Sequence, residues 1–112
     1  MGTPVDVPTP TALSLEITSG SHAVLVRVTG AVDMESRGEL EDALVQLGVF
    51  GLNLDVDLRG VTFMDSAGVS MLVHLARQTA SRGSTMTVVA PSDQVRRVLA
   101  LSGVDTMLTI VS

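Results

Sequence analysis

The sequence predicts an α/β domain with a mixed, mostly parallel sheet, opened by a β-hairpin and carrying its helices mainly on one face. Three observations predict it. Two strand-like apolar runs at the start are separated only by Ser19-Gly20-Ser21, later strand candidates alternate with helical stripes, and Leu52, Leu54, Val56 and Leu58 alternate with Asn53, Asp55 and Asp57. Strict alternation implies one polar sheet face, so helices should cover the other.

Residues 1–11 carry Pro4, Pro8 and Pro10 without apolar periodicity and read as a flexible leader, leaving 12–112 as one domain. Leu13, Leu15 and Ile17 alternate with Ser14, Glu16 and Thr18, the pattern of a half-buried strand. A Val-rich strand over 22–29 follows so soon that the two must form an antiparallel hairpin. Gly30 to Asp33 turns the chain into a helix over roughly 34–47, with Leu40, Ala43, Leu44 and Leu47 as its apolar stripe. Ser36 and Glu39 fit a capping box that would start this helix slightly later, and Gly48 stops it.

After the alternating strand, a second helix fits ~67–82, with Val69, Leu72, Leu75, Ala76 and Thr79 inward and Gly83 as its stop. A strand over 85–90 follows. Pro91-Ser92-Asp93 opens a third helix that Gly103 ends, and a last strand spans 108–111. The order β-β-α-β-α-β-α-β is a hairpin continued by right-handed crossovers.

Composition narrows the function. Apolar content of 46% and charged content of 17% fit a folded globule. A net charge of −5 and only two aromatics, Phe50 and Phe63, disfavour nucleic acid and anionic membranes as partners. No cysteine is present, which suits a reducing compartment. No apolar run approaches the ~20 residues needed to span a bilayer. Neither a signal peptide nor a myristoylation pattern is seen at the N-terminus, where Asp6 stands in place of Ser or Thr. The expected location is cytoplasmic.

The informative segment is Gly60-Val61-Thr62-Phe63-Met64-Asp65-Ser66-Ala67-Gly68-Val69, a loop between a strand and a helix. Ser66 lies at the helix start, where unpaired N–H groups and a partial positive charge suit an anion on its hydroxyl. Two readings follow: a phosphorylation switch, or a plain helix cap. A nucleophile is disfavoured, because there is no Gly-x-Ser-x-Gly elbow and His74 would lie ~12 Å up the helix axis. His22 belongs near the hairpin turn, and both histidines read as solvated surface residues. Asp55 and Asp57 share a sheet face and could hold Mg²⁺, but an exposed polar face already explains their alternation with Asn53. No metal or cofactor is expected. Asp33 should lie near the Ser66 loop if the second and third strands are neighbours, as a helix cap, a partner contact or both. Of Phe63 and Met64, one should be core and an exposed one a contact anchor. Gly60 and Gly68 permit close backbone approach or positive φ.

The string from Asp57 to Val69 resembles the signature of STAS domains, specifically bacterial anti-sigma factor antagonists. The resemblance runs from the opening hairpin through Gly30-Ala31-Val32-Asp33 to Leu101-Ser102-Gly103-Val104. It implies that the unphosphorylated chain binds an anti-sigma factor with a histidine-kinase-like ATPase fold, which is also its Ser/Thr kinase, and so frees a sigma factor. The kinase would phosphorylate Ser66, and a phosphatase would restore binding. The docking surface would comprise Asp33, Phe63, Met64, Asp65, Ser66 and Gly68, without catalysis. Ala67 replaces the second hydroxyl residue common after that serine in the family, which leaves Ser66 as the local acceptor; Val69-Ser70 also stands where a Leu-Gly pair is common. The alternative within the fold is a stand-alone STAS subunit of a stress-signalling scaffold or a lipid-transport complex.

Overall fold

The computed structural model describes residues 13–47 and 51–111, so the expected leader, the Gly48 stop and Phe50 lie outside the described residues, as does the side chain of Leu47. Five strands and three helices follow in the expected order: β1 Ser14–Ser19, β2 Val24–Val32, α1 Arg37–Leu47, β3 Leu54–Met64, α2 Ser66–Ser81, β4 Met86–Val89, α3 Asp93–Leu101 and β5 Thr109–Val111. The strands lie side by side in chain order. β1 pairs antiparallel with β2, and every later pairing is parallel. Each crossover therefore advances the same way across the sheet, and right-handed connections deliver the helices to one face. α2 packs against both α1 and α3.

The core forms where alternating strand residues meet the helical stripes. Val24, Val26 and Val28 of β2, Leu54, Val56 and Leu58 of β3, and Met86 and Val88 of β4 are buried together with Leu40, Leu44, Leu72, Leu75, Val95 and Leu99. Leu15 and Ile17 of β1 face the same side, opposite Val28 and Val26, and pack against this cluster. Thr79 is buried on α2, and its hydroxyl donates back to Ala76 O at 2.9 Å, so no polar atom is stranded there. Gly83 and Gly103 take positive φ after α2 and α3, as helix-ending glycines do.

The sequence reading misplaces boundaries of β2 and β3 in particular. Leu52 is exposed, and β3 begins at Leu54. β3 then continues through the segment expected to be a loop and ends only at Met64. β2 likewise runs on to Val32. Irregularities in the β2–β3 register, between Arg27 and Thr29 and again between Gly30 and Ala31, explain the misreading. Each adds a residue to β3, so its inward side chains are Leu58, Val61 and Met64, spaced by three instead of two. The period-two signal is broken while the strand goes on. Gly30, with φ 99, lets β2 follow the same irregularity.

The open face holds a row of charges set by the register Glu16↔Arg27↔Asp57. Arg27 Nη1 lies 3.1 Å from Glu16 Oε1, and its Nε lies 3.6 Å from Asp57 Oδ2. Asp57 Oδ1 accepts the Arg59 N–H at 2.9 Å. Asp57 is thus not the solvent-facing carboxylate the alternation suggested: it is 5% exposed, with both oxygens engaged. Among the described residues no group of three His, Cys, Asp or Glu side chains is arranged to hold a metal. No described helix is long and apolar enough to cross a membrane.

Gly68 fixes how α2 meets the sheet. A Cβ there would lie 2.6 Å from Val32 O and 2.7 Å from Met64 Cγ. Gly68→Ala should therefore lower stability by about 1–3 kcal/mol through overpacking. Gly38→Ala, inside α1 with nothing within 4 Å, should leave stability unchanged or raise it by up to ~1 kcal/mol. Urea unfolding of the two variants checks the contrast.

Candidate functional site

Parallel pairing of β2 with β3 carries both strands to the same edge of the sheet. Val32 is the register partner of Met64, so the next residues along each strand leave the sheet together. Asp65 N–H donates to Val32 O at 3.3 Å and ties the two ends. This brings the Asp33 turn beside Asp65 and Ser66, as the sequence reading required of neighbouring strands.

Asp65, not Ser66, caps α2. Its Oδ1 accepts the N–H of Ala67 at 2.9 Å and of Gly68 at 3.2 Å, from an extended backbone conformation. Ser66 is the first helical residue and is exposed. Among the described residues its hydroxyl has no hydrogen-bond partner. The plain-cap reading of Ser66 is therefore set aside. The same bonds amend a second expectation, because N–H groups assigned to an anion on Ser66 already serve the Asp65 carboxylate.

Asp33 is a turn former. Its Oδ1 accepts the N–H of Glu35 and of Ser36, each at 3.0 Å, and lies 3.0 Å from Ser36 Oγ. The N–H of Ser36, then its hydroxyl, hold the Asp33 carboxyl below its ordinary value of 3.8, with desolvation opposing them. Ser36 does precede α1, in agreement with the later helix start, but its hydroxyl does not complete a capping box. It donates to Ala31 O at 2.7 Å and accepts from the Asp33 N–H at 3.1 Å, locking the turn to the end of β2.

The remaining site residues divide by burial. Met64 is 1% exposed and belongs to the core, which corrects its assignment to the contact surface: the second β3 irregularity turns it inward under Gly68. Gly68 is buried too, and what it contributes is close approach. Phe63, next to Met64, points the other way and is 45% exposed. Met34, which the sequence reading placed inside the first helix, stands in the Asp33 turn at 76% exposure. It is the residue that reading missed. Placing the helix start at Ser36 would have left it in a loop. The site is thus an acidic rim of Asp33, Glu35 and Asp65 with two exposed apolar side chains and one free hydroxyl. His74 lies on α2 with its Nε2 2.8 Å from Glu41 Oε2 of α1, a half-exposed pair linking two helices. It offers Ser66 no base.

A family model described as "Mlab, STAS domain" matches residues 15–111, and the chain belongs to this STAS family. It is 22% identical over 98 residues to the anti-sigma-B factor antagonist of Bacillus subtilis, covering 88% of this chain and 90% of that one. An anti-sigma factor antagonist from Mycobacterium paratuberculosis superposes with a TM-score of 0.80 at 24% identity, over 93% of this chain and 89% of that one. The antagonist SpoIIAA in its unphosphorylated form gives 0.70 at 22% identity, covering 90% and 89% of the two chains. Its phosphorylated form gives 0.60 at 23%, over 90% and 92%. The chain is a STAS domain with anti-sigma factor antagonists as distant relatives.

Two measurements check the site's assignments. Asp65→Ala should cost about 0.5–2 kcal/mol as the loss of an N-cap, whereas Ser66→Ala should stay within ~0.5 kcal/mol of wild type. Equal losses in urea unfolding would contradict this division of roles. For Asp33, the lowered carboxyl value means that the ionised form stabilises the fold above its ordinary value of 3.8, and that this contribution is lost as the pH falls through the lowered one. The stability gap between wild type and Asp33→Asn should be open at neutral pH and narrow as the pH falls below 3.8.

Proposed function

We propose that this chain is an anti-sigma factor antagonist switched at Ser66. Unphosphorylated, it binds an anti-sigma factor with a histidine-kinase-like ATPase fold and so frees a sigma factor. That partner phosphorylates Ser66, which ends binding, and a phosphatase restores it. The observation that carries this reading is the cap: Asp65 takes the capping role, leaving Ser66 exposed, rigidly placed and free to react. The relationship to antagonists, one of them solved in both phosphorylated and unphosphorylated forms, supports it.

The physics of the switch follows from the same geometry. A phosphate on Ser66 adds about −1.5 to −2 charge beside Asp65 and does not unfold α2. The donors of Ala67 and Gly68 are committed to Asp65, so the phosphate stays outward. Two unit charges ~4 Å apart repel by about 1 kcal/mol in water and about 4 kcal/mol at the effective dielectric of a covered surface. A penalty of ~3 kcal/mol weakens binding about a hundredfold. Phe63 and Met34 supply exposed apolar anchors at this end of the sheet, with Asp33 and Asp65 orienting the partner. The chain acts by binding and catalyses nothing itself.

The family description "Mlab" favours a second reading, a STAS subunit of another assembly, in which Ser66 marks a constant contact surface. Capture of partners from source cells, followed by calorimetry on the captured ATP-binding protein, separates the two. Ser66→Ala should bind it like wild type, and Ser66→Glu at least ~10-fold more weakly. Equal affinity of both variants would sink the switch and leave the constant subunit.

A further inference from the structure

Beside α2 lies a groove that the Ser66 site does not use. Its volume is about 370 Å³; Val69, Val73 and Arg77 line it from α2, and Val104 and Met107 line it from the connection between α3 and β5. Ser70 and His74 complete the lining. Ser70, Val73 and Arg77 fall at i, i+3 and i+7 and so share one stripe of the helix. From Val69 to Arg77 the groove follows α2 for about 12 Å at ~1.5 Å per residue. Its walls are largely aliphatic: Val69 is buried, Val73 and Val104 are half-buried, and Met107 is 57% exposed. One cation stands at the C-terminal end of the stripe. Among the described residues Arg77 has no ion-pair partner, whereas His74 Nε2 already meets Glu41 Oε2 at 2.8 Å.

We infer that this groove binds a single-chain amphiphile with a carboxylate head, of the medium-chain fatty acid class. The carboxylate pairs with Arg77, whose planar guanidinium presents two parallel N–H donors to two carboxylate oxygens. The tail lies over Val73 and Val69, toward Val104 and Met107. Burial of the tail supplies affinity, and the flexible Met107 side chain adapts to its shape. Size and charge select this class together. The groove is at the low end of the ~300–1,000 Å³ of small-molecule sites, and a helix of ~10–12 Å diameter laid along α2 would overfill it. Its one unanswered charge is positive, so an anionic head is attracted and a cationic one repelled. The inference does not rest on the Ser66 switch, since none of these residues belongs to that surface.

Methyl NMR on the full chain, titrated with decanoate below its micelle-forming concentration, tests this. Shifts should saturate and centre on Val69, Val73, Val104 and Met107, while Leu25 on the open sheet face stays unmoved. Arg77→Gln should weaken binding at least ~10-fold, and Arg77→Lys should weaken it less. Octanoate, shorter by two CH₂ groups, should bind more weakly by up to about 15-fold. Decyltrimethylammonium, with the opposite head, should not compete. Circular dichroism confirms that each variant is folded. Shifts that never saturate, an Arg77→Gln variant that binds like wild type, or equal binding of the cationic amphiphile overturns the inference.

Discussion

The closeness with which the first turn of α2 can approach the end of β2 governs the rest of the structure. Gly68 sits where any side chain would meet the Val32 carbonyl and Met64. Without a Cβ, the helix can start one residue after β3 stops, and Asp65 alone bridges strand and helix. The Asp65 N–H reaches the same Val32 carbonyl, so one backbone oxygen is both the floor under Gly68 and the acceptor that ties the strand ends. A longer or looser connection would let Ser66 wander relative to the Asp33 turn. As built, the two loops share an edge and are tied by the Asp65 N–H to Val32 O bond.

That tight connection also decides which residue caps and which is free. An aspartate at the cap satisfies two orphan N–H groups with one oxygen and places a negative charge at the positive end of the helix dipole. The serine that follows is left with backbone fixed in the helix and a hydroxyl in solvent. A phosphate on a capping serine would draw on the helix's own N–H groups; at the next residue, with those donors held by Asp65, it changes what the surface presents. A neighbouring fixed carboxylate with its donors already spoken for then makes the added charge felt by whatever covers the site.

The fold was legible because burial follows simple periods over most of the chain. The hairpin, the stripes of α1 and α2, and the glycine stops after α2 and α3 are all visible in residue spacing. What escaped was concentrated where β2 and β3 depart from regular register. Two inserted residues in β3 turned a strand into something that read as a loop, hid Met64 in the core and exposed Phe63. Asp57 was misread for a related reason: alternation reports which face a residue occupies, but not that an arginine on the next strand covers it. At the site, Asp33, Asp65 and Ser66 were legible as types at a strand end and a helix start. The choice between Asp65 and Ser66 as cap needed backbone geometry, since both residues are good caps and adjacent. Met34 was missed because Ser36, whose hydroxyl reaches back to β2, delays the helix past it.

In the proposed switch, Ser66 accepts a reversible phosphate on a surface otherwise complete for binding. Phosphopeptide mapping of the protein isolated from its own cells, in growth and under stress, tests this most directly. A single phosphate on Ser66, with an occupancy that changes with conditions, is the predicted result. Absence of phosphate in every condition, with partner binding intact, would contradict it.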